Sequence, residues 1–90
     1  MDFRHLRYFV AVTEEGSFTR AARRLFVAQP ALSKQIHDLE GTIGARLLVR
    51  SARGVTLTAA GTELLRHARA LLATEETARD SVRHLATLAA

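Results

Sequence analysis

Residues 17–40 read SFTRAARRLFVAQPALSKQIHDLE, and this stretch decides the fold. Two helical patterns of apolar residues meet in it across the short break 26–28. Ser17 stands before the first pattern as an N-cap, where its hydroxyl can accept a hydrogen bond from an unpaired amide. The first pattern also contains the small pair Ala21 and Ala22, which lets two helices cross closely. The stretch therefore predicts a helix-turn-helix.

The apolar residues of each pattern fall on a single helix face. Those of the first are Phe18, Ala21, Ala22 and Leu25, and those of the second are Leu32, Ile36, Leu39 and Ile43. The second helix begins at Gln29 and Pro30, because proline is tolerated in a first turn, where amides lack partners inside the helix. Gly44 ends it, so we expect a helix over residues 29–43.

One further helix precedes this pair, and a different structure follows it. Over residues 2–15 the apolar side chains recur at helical spacing, and Gly16 ends the pattern. Beyond the second helix of the pair, the sequence changes to two β-capable runs, 47–50 and 55–57, around a turn that contains Gly54. A hairpin in this place is the wing of a winged helix-turn-helix.

The sequence of the last segment, residues 58–90, predicts one long helix with Thr58 as its N-cap. Such a helix spans about 46 Å, whereas the residues before it form a globule only about 25 Å across. Its apolar residues alternate at spacings of four and three, the heptad pattern of a coiled coil, with a polar interruption at Glu75. We therefore expect the helix to pair with a second copy. The predicted seam consists of Leu64, Ala68, Leu71, Ala78, Val82 and Leu85.

The positive charge of the chain is concentrated in its first two-thirds. Residues 1–58 hold nine cations and five anions, whereas residues 59–90 hold four of each, so the net charge of +4 lies in the first part. Twelve of the thirteen cations are arginines, whose forked guanidinium groups suit phosphate oxygens and base edges. This asymmetry agrees with nucleic-acid binding but also with ordinary surface charge, so the motifs must decide.

Composition excludes several other classes of protein. The chain has 90 residues, which suits one domain, and no cysteine, which excludes disulfides and thiolate zinc sites. No stretch is long and apolar enough to span a membrane, and the N-terminus lacks the apolar core of a signal peptide. We therefore expect a cytoplasmic protein. The four histidines lack the spacing of metal ligands, and no phosphate-binding glycine motif occurs, so we expect neither a metal nor a cofactor.

Two other functions deserve comparison with nucleic-acid binding. Ser33 and His37 lie one helical turn apart and resemble a nucleophile with its base, but that face has no carboxylate to orient the histidine and no oxyanion site. We therefore do not expect an enzyme. A protein-interaction module, in which the helix-turn-helix only supports the long helix, is the other alternative. It would present apolar residues on the outer face of helix 29–43, where this sequence has polar ones.

Three blocks of the sequence resemble the N-terminal DNA-binding domain of LysR-type transcriptional regulators. The blocks are residues 17–40, IGARLLVR at 43–50 and GVTLTAAG at 54–61. Their most specific parts are AAxxL, QPALSKQI, LE and the hairpin that runs into LTxAG. The resemblance extends over nearly the whole chain. It departs at Ala28, because the family usually has serine or threonine immediately before Gln-Pro.

The resemblance implies a mainly helical chain, with a winged helix-turn-helix DNA-binding domain at 1–57 and a linker and dimerisation helix at 58–90. It implies double-stranded DNA as the partner, bound by a homodimer at a partly palindromic promoter site in the bacterial nucleoid. It also implies a C-terminal domain that binds a small-molecule effector and is absent from these 90 residues. We therefore expect these residues to be a fragment of a longer regulator. A tetramer is compatible with the full-length protein.

The face of helix 29–43 opposite its apolar stripe carries the residues that would contact bases. An α-helix fits the major groove, where glutamine can pair with adenine, lysine with guanine, and proline can touch a thymine methyl. In the family, the matching positions approach bases and nearby phosphates. The residues concerned are Gln29, Pro30, Ser33 and Lys34, and we add His37 because it shares their face.

Three further arginine and threonine positions are candidates for the DNA backbone, and one for the minor groove. Thr19 and Arg20 begin the first helix of the pair, where free amides and the helix dipole suit a phosphate. Arg50 is expected either to anchor a phosphate or to pair with an acid. Arg53, beside the flexible Gly54 at the tip of the wing, is expected to enter a narrow minor groove and contact bases there.

Overall fold

The computed structural model describes residues 1–89. In chain order its elements are α1 (Phe3–Glu15), α2 (Phe18–Leu25), α3 (Gln29–Ile43), β1 (Leu48–Ser51), β2 (Gly54–Leu57) and α4 (Ala59–Ala89). This order confirms the predicted winged helix-turn-helix with a long helix after it. The domain boundary at residue 57 stays a prediction, and residue 90, the last of the predicted linker helix, lies outside the described residues.

Side-chain caps fix where three of the four helices begin. In each, an oxygen of the N-cap side chain accepts a hydrogen bond from the amide three residues on, which has no partner inside the helix. The pairs are Asp2 with His5 at 2.8 Å, Ser17 with Arg20 at 3.2 Å and Thr58 with Gly61 at 2.9 Å. α3 begins differently, because its N-cap is Ala28, which makes no side-chain hydrogen bond.

The first three helices and the start of the hairpin share one apolar core. Its largest fully buried side chains are Phe9, Val12, Leu32, Leu39 and Leu47. The alanines at 21 and 22 are also buried, which agrees with their predicted place at the crossing of two helices.

The apolar stripe of α3 is buried over its first three members only. Leu32, Ile36 and Leu39 are at most 3% exposed, whereas Ile43 is 40% exposed. Ile43 is the last residue of the helix, and the chain leaves the core there through the left-handed Gly44. The expectation that Ile43 turns inward is therefore corrected.

The turn between α2 and α3 is held by backbone hydrogen bonds. Phe26 has a φ of 56°, a left-handed conformation that is uncommon for a residue with a side chain. Its amide and that of Val27 donate to the carbonyl oxygens of Arg23 and Ala22, at 3.2 and 3.0 Å. The ring of Phe26 is 94% exposed. The turn therefore depends on backbone geometry and not on burial of its aromatic side chain.

The wing is a two-stranded antiparallel hairpin in which Leu48 lies opposite Leu57. β1 is shifted by one residue from the predicted run 47–50, and β2 begins one residue before the predicted run 55–57. Two contacts fix it to the helices: the amide of Val55 donates to the carbonyl oxygen of Gly16 at 3.1 Å, and the carboxylate of Glu40 accepts from the amide of Leu47 at 2.7 Å. The wing is thus tied both to the end of α1 and to the last turn of α3.

The first half of α4 packs on its own domain. Ala68 is fully buried in a cluster with Leu6 and Val10 of α1, and the half-buried Leu64 and Leu72 border that cluster. The predicted placing of Ala68 in an intermolecular seam is therefore wrong, because its side chain has no surface left for a second chain. The spacing was correct, but α1 is what covers this part of the helix.

The second half of α4 extends away from the globule. Every side chain from residue 76 to residue 89 is exposed, including the apolar Val82, Leu85 and Leu88. The described part of the molecule measures 53 × 25 × 20 Å, and its length reflects this extension. Within residues 1–89, the helices lack the combination of length and apolar character needed to cross a bilayer.

Candidate nucleic-acid interface

The outer face of α3 brings five of the predicted site residues together. Positions 29, 30, 33, 34 and 37 share a face because they are separated by three or four residues or are adjacent. Pro30, Lys34 and His37 are exposed, while Gln29 and Ser33 are half-buried. The structure therefore presents a polar helix face to solvent, opposite the buried stripe, as a helix that enters a groove requires.

Ser33 is the centre of a hydrogen-bond network on this face. Its hydroxyl oxygen accepts from the side-chain amide of Gln29 at 3.0 Å and from the guanidinium of Arg50 at 2.7 Å. The guanidinium carbon of Arg50 also lies 3.6 Å from the centre of the Phe18 ring, a cation–π contact. Arg50 of β1 thus contacts both α2 and α3.

These contacts exclude one of the two expectations for Arg50. Among residues 1–89, no carboxylate pairs with its guanidinium, so the expected acid partner is wrong. Its partners are a hydroxyl and an aromatic face instead. The side chain remains exposed, so a phosphate contact stays a prediction.

Lys34 lies on the same face but has an acidic partner. Its ammonium group donates to the carboxylate of Asp38, one turn further along α3, at 2.9 Å. That hydrogen bond lowers the pKa of Asp38 below its ordinary value. The pair is exposed and therefore weak, so the lysine can leave its partner for a stronger acceptor.

The start of α2 carries the predicted phosphate contacts. Thr19 and Arg20 are both exposed there. The guanidinium of Arg20 donates to the backbone carbonyl of Glu15 at 2.6 Å, which orients it along the end of α1. The next arginine on this side, Arg24, is held by Glu14 at 2.8 Å and by Glu15 at 3.3 Å. Arg20 therefore makes fewer and longer contacts with carboxylates than Arg24 does.

The tip of the wing places Arg53 in solvent. Its amide donates to the hydroxyl of Ser51 at 3.2 Å, which closes the turn between β1 and β2. Gly54 follows with a φ of 117°, a conformation that only glycine adopts readily. An added Cβ at Gly54 would also lie 2.7 Å from the carbonyl oxygen of Gly16. The glycine is therefore needed for close packing of the wing as well as for its turn.

Two residues of this region were not predicted from the sequence. Arg46 lines a cleft between α3 and β1 together with Ser33, His37 and Arg50, which adds a cation beside the polar face. Glu40 fixes the wing through the amide of Leu47, as described above. The motif LE contains Glu40, but its sequence does not indicate that this carboxylate accepts from the amide before β1. Within residues 1–89, no group of three or more potential metal ligands occurs.

A family model decides the relationship. The model for the bacterial regulatory helix-turn-helix proteins of the lysR family matches residues 3–62. The chain belongs to the LysR family. The resemblance inferred from the sequence is thereby confirmed, and so is the fold class.

Curated relatives in the LysR family match the chain over most of its length. The Hca operon transcriptional activator HcaR of Escherichia coli (strain K12) is 54% identical over 79 residues, which are 88% of this chain and 27% of the relative. The HTH-type transcriptional regulator ClcR of Pseudomonas putida is 53% identical over the same shares of both chains. The chain thus spans about a quarter of the length of the relatives it matches.

Solved structures of LysR-family domains have the same architecture. A complex of the BenM DNA-binding domain with catB site 1 DNA superposes with a TM-score of 0.92 at 45% identity, covering 96% of this chain and 97% of that one. A complex of the CbnR DNA-binding domain with DNA superposes with a TM-score of 0.89 at 45% identity, covering 96% and 99%. The present fold, including the long helix, is therefore that of DNA-binding domains in this family.

Proposed function

We propose that this chain is the DNA-binding part of a dimeric transcription regulator and that it binds double-stranded DNA with α3 in the major groove. One observation carries the proposal. The polar face of α3 is turned outward on a fold that, in relatives of 45% identity, has been solved in complex with DNA. The charge distribution supports it, because the net +4 lies within residues 1–58.

Each site residue has a place in the proposed complex. Bases would be contacted from α3, and phosphates from the start of α2 and from β1, because these elements adjoin the same face. The base contacts are Gln29, Pro30, Ser33, Lys34 and His37 in the major groove and Arg53 in the minor groove, and the phosphate contacts are Thr19, Arg20 and Arg50.

The proposed dimer forms through α4. Leu71, Val82 and Leu85 are 42%, 68% and 66% exposed, and they follow the heptad spacing of a coiled-coil seam. A second copy would cover them together with Ala78 and the half-buried Leu64. The proposed assembly binds two half-sites on one face of the duplex, separated by whole helical turns.

The chain would act within a longer protein. Its relatives are about three times as long, and in our proposal the remainder binds a small-molecule effector and takes part in any tetramer. Because its partner is the bacterial chromosome, we place the protein in the cytoplasm, and we propose neither an enzymatic activity nor a cofactor for this part of it.

Selection of bound sequences from a random DNA pool tests the proposal. Lys34→Ala and Gln29→Ala should weaken binding to the selected site more than binding to random DNA, because base contacts carry specificity of about 1–3 kcal/mol each. The matched control is Arg20→Ala, which should weaken both alike and reduce the slope of log K against log salt by about 0.9 per subunit, or about 1.8 for the dimer. An unchanged specificity ratio for Lys34→Ala would mean that α3 is not the reading helix.

A further inference from the structure

Arg50 connects three elements of the domain beside the reading face. Its side chain starts on β1, lies over the ring of Phe18 at the start of α2 and donates to the hydroxyl of Ser33 on α3. The ring is only 8% exposed and belongs to the core, so it is a fixed support. A guanidinium can stack by its face and donate from its edge at the same time, since the two directions are perpendicular. Arg50 is thus held in place independently of any ligand.

This anchoring determines what Ser33 can offer to DNA. A hydroxyl oxygen has two lone pairs, and here one accepts from Arg50 and the other from Gln29. With both lone pairs used, the hydroxyl proton is the only remaining group for a hydrogen bond. Ser33 is therefore a donor toward the outside of α3 and not an acceptor.

The same network fixes the side-chain amide of Gln29. One of its two N–H groups is used on Ser33. Its other N–H and its carbonyl oxygen have no partner among residues 1–89, which leaves the amide one donor and one acceptor. Adenine presents the complementary pair in the major groove, with N7 as acceptor and N6 as donor.

We propose that Arg50 is a specificity-determining, positioning residue, which holds Ser33 and through it Gln29 in the one arrangement that reads an adenine. The proposal rests on the proposed DNA-binding function. It differs from a phosphate contact, because a phosphate contact adds the same affinity for every sequence. Lysine would keep the charge of Arg50 but not its role, since an ammonium group has no planar face to stack on Phe18.

A measurement on the free domain tests the network without DNA. In NMR spectra, Arg50→Lys and Ser33→Ala should both shift the side-chain amide resonances of Gln29, because each breaks a link of the network. The matched control is Arg23→Lys, which makes the same change at an exposed arginine of α2. Gln29 resonances that stay in place in Arg50→Lys would overturn the proposal, whatever the protein binds.

Binding measurements with DNA test whether Arg50 affects the base that Gln29 reads. The base pair that Gln29 reads is identified as the one at which Gln29→Ala loses discrimination in a set of single-base variants of the selected site. At that pair, Arg50→Lys should reduce the preference for adenine by about fivefold or more, the lower end of what one bidentate contact contributes. This loss of preference should exceed any loss of affinity for random DNA, since the charge that neutralises a phosphate is kept.

The outcomes of the DNA experiment are distinguishable. Unchanged preference at that base pair in Arg50→Lys, or an equal loss of affinity for every sequence, overturns the positioning role. A preference for guanine in the wild type overturns the assigned orientation of the Gln29 amide. Failure of the wild-type domain to bind any DNA overturns the proposed function instead, and the NMR experiment then decides the network alone.

Discussion

The backbone of Gly61, in the first turn of α4, lies directly against the carbonyl oxygen of Leu47, the residue before β1. A Cβ placed on Gly61 would overlap that oxygen and would also lie 3.0 Å from the side chain of Leu57. The carbonyl of Leu47 is not free to move aside, because it accepts the amide of Thr58 at 3.0 Å. The start of the long helix is thus docked on the wing at a place where only glycine fits.

Gly61→Ala should therefore destabilise the domain, although alanine is the better helix former. We expect its free energy of unfolding to fall by about 1–3 kcal/mol, the usual cost of overpacking. Gly41→Ala in α3 is the matched control, because no atom of residues 1–89 outside its own stretch of helix backbone lies within 4 Å of its Cβ position. That variant should gain about 0.5–1 kcal/mol from helix propensity alone. Urea unfolding of both variants checks this, and equal effects would contradict the docking.

Local sequence signals were sufficient for the boundaries of the helices. The helix predicted over 29–43 is observed with those ends, and Gly16 and Gly44 end their helices in the left-handed conformation that glycine tolerates. Ser17 and Thr58 act as N-caps as expected. Such signals succeed because a cap or a stop depends on a few neighbouring residues, all of which are visible in the sequence.

Contacts between residues far apart in the sequence were harder to predict than the ends of helices. A heptad pattern shows which side chains of α4 need cover but not which surface covers them, so Ala68 was assigned to a second chain when α1 buries it. The partners of Arg50 are 17 residues away at Ser33 and 32 away at Phe18, beyond the reach of helical spacing. The exposure of Phe26 is another such case, since its apolar character gave no warning of its left-handed turn.

Val82→Asp should dissociate the proposed dimer without harming the monomer. Val82 is 68% exposed in the single chain, so an aspartate there is solvated until a second copy covers it. An unpaired buried charge costs about 3–5 kcal/mol, so the dimer dissociation constant should rise by about a hundredfold or more. Analytical ultracentrifugation measures the constant, and thermal unfolding at low concentration checks the monomer.

Thr77→Asp is the control for this experiment, because it adds the same charge to α4 on a face away from the apolar seam. Its dissociation constant should stay near that of the wild type. A wild-type domain that remains monomeric at high micromolar concentration would contradict pairing through α4.

Glu14 should make the stability of the domain depend on pH. Its carboxylate accepts from Arg24 and from Arg69 of α4, and the hydrogen bond from Arg24 is the main reason that its pKa is lowered below 4.5. A lowered pKa in the folded state means that the stabilisation is complete above the pKa of the unfolded chain. It is then lost as the pH falls through the folded pKa, in a window below about 4.5.

The pair Glu14→Gln and Glu76→Gln tests this. At pH 7 Glu14→Gln should be less stable than the wild type by no more than about 1 kcal/mol, since exposed ion pairs contribute little. The difference from the wild type should shrink as the pH is lowered below 4.5. Glu76 is exposed and has no ion-pair partner among residues 1–89, so its variant should follow the wild type throughout. Denaturant unfolding at several pH values provides the comparison, and a difference independent of pH would contradict the role of Glu14.

Ala28→Ser should stabilise the domain by giving α3 the cap that it lacks. Ala28 is exposed and extended at the N-cap, with φ −71° and ψ 139°, so a hydroxyl there meets no steric obstacle. Pro30 has no amide, which leaves the amide of Ala31 as the donor for that hydroxyl. Ser17 makes this same bond to Arg20 in α2. We expect a gain of about 0.5–2 kcal/mol in unfolding free energy.

Ser17→Ala is the reverse control and should lose a similar amount, because it removes the cap of α2. Thermal unfolding of the two single variants and of the double variant Ala28→Ser/Ser17→Ala should show nearly additive effects. DNA binding by Ala28→Ser should change little in sequence preference and tighten modestly if the hydroxyl also reaches a phosphate. A melting temperature that falls in Ala28→Ser would show that α3 in solution begins at another residue, and the reading face assigned to it would then shift with that start.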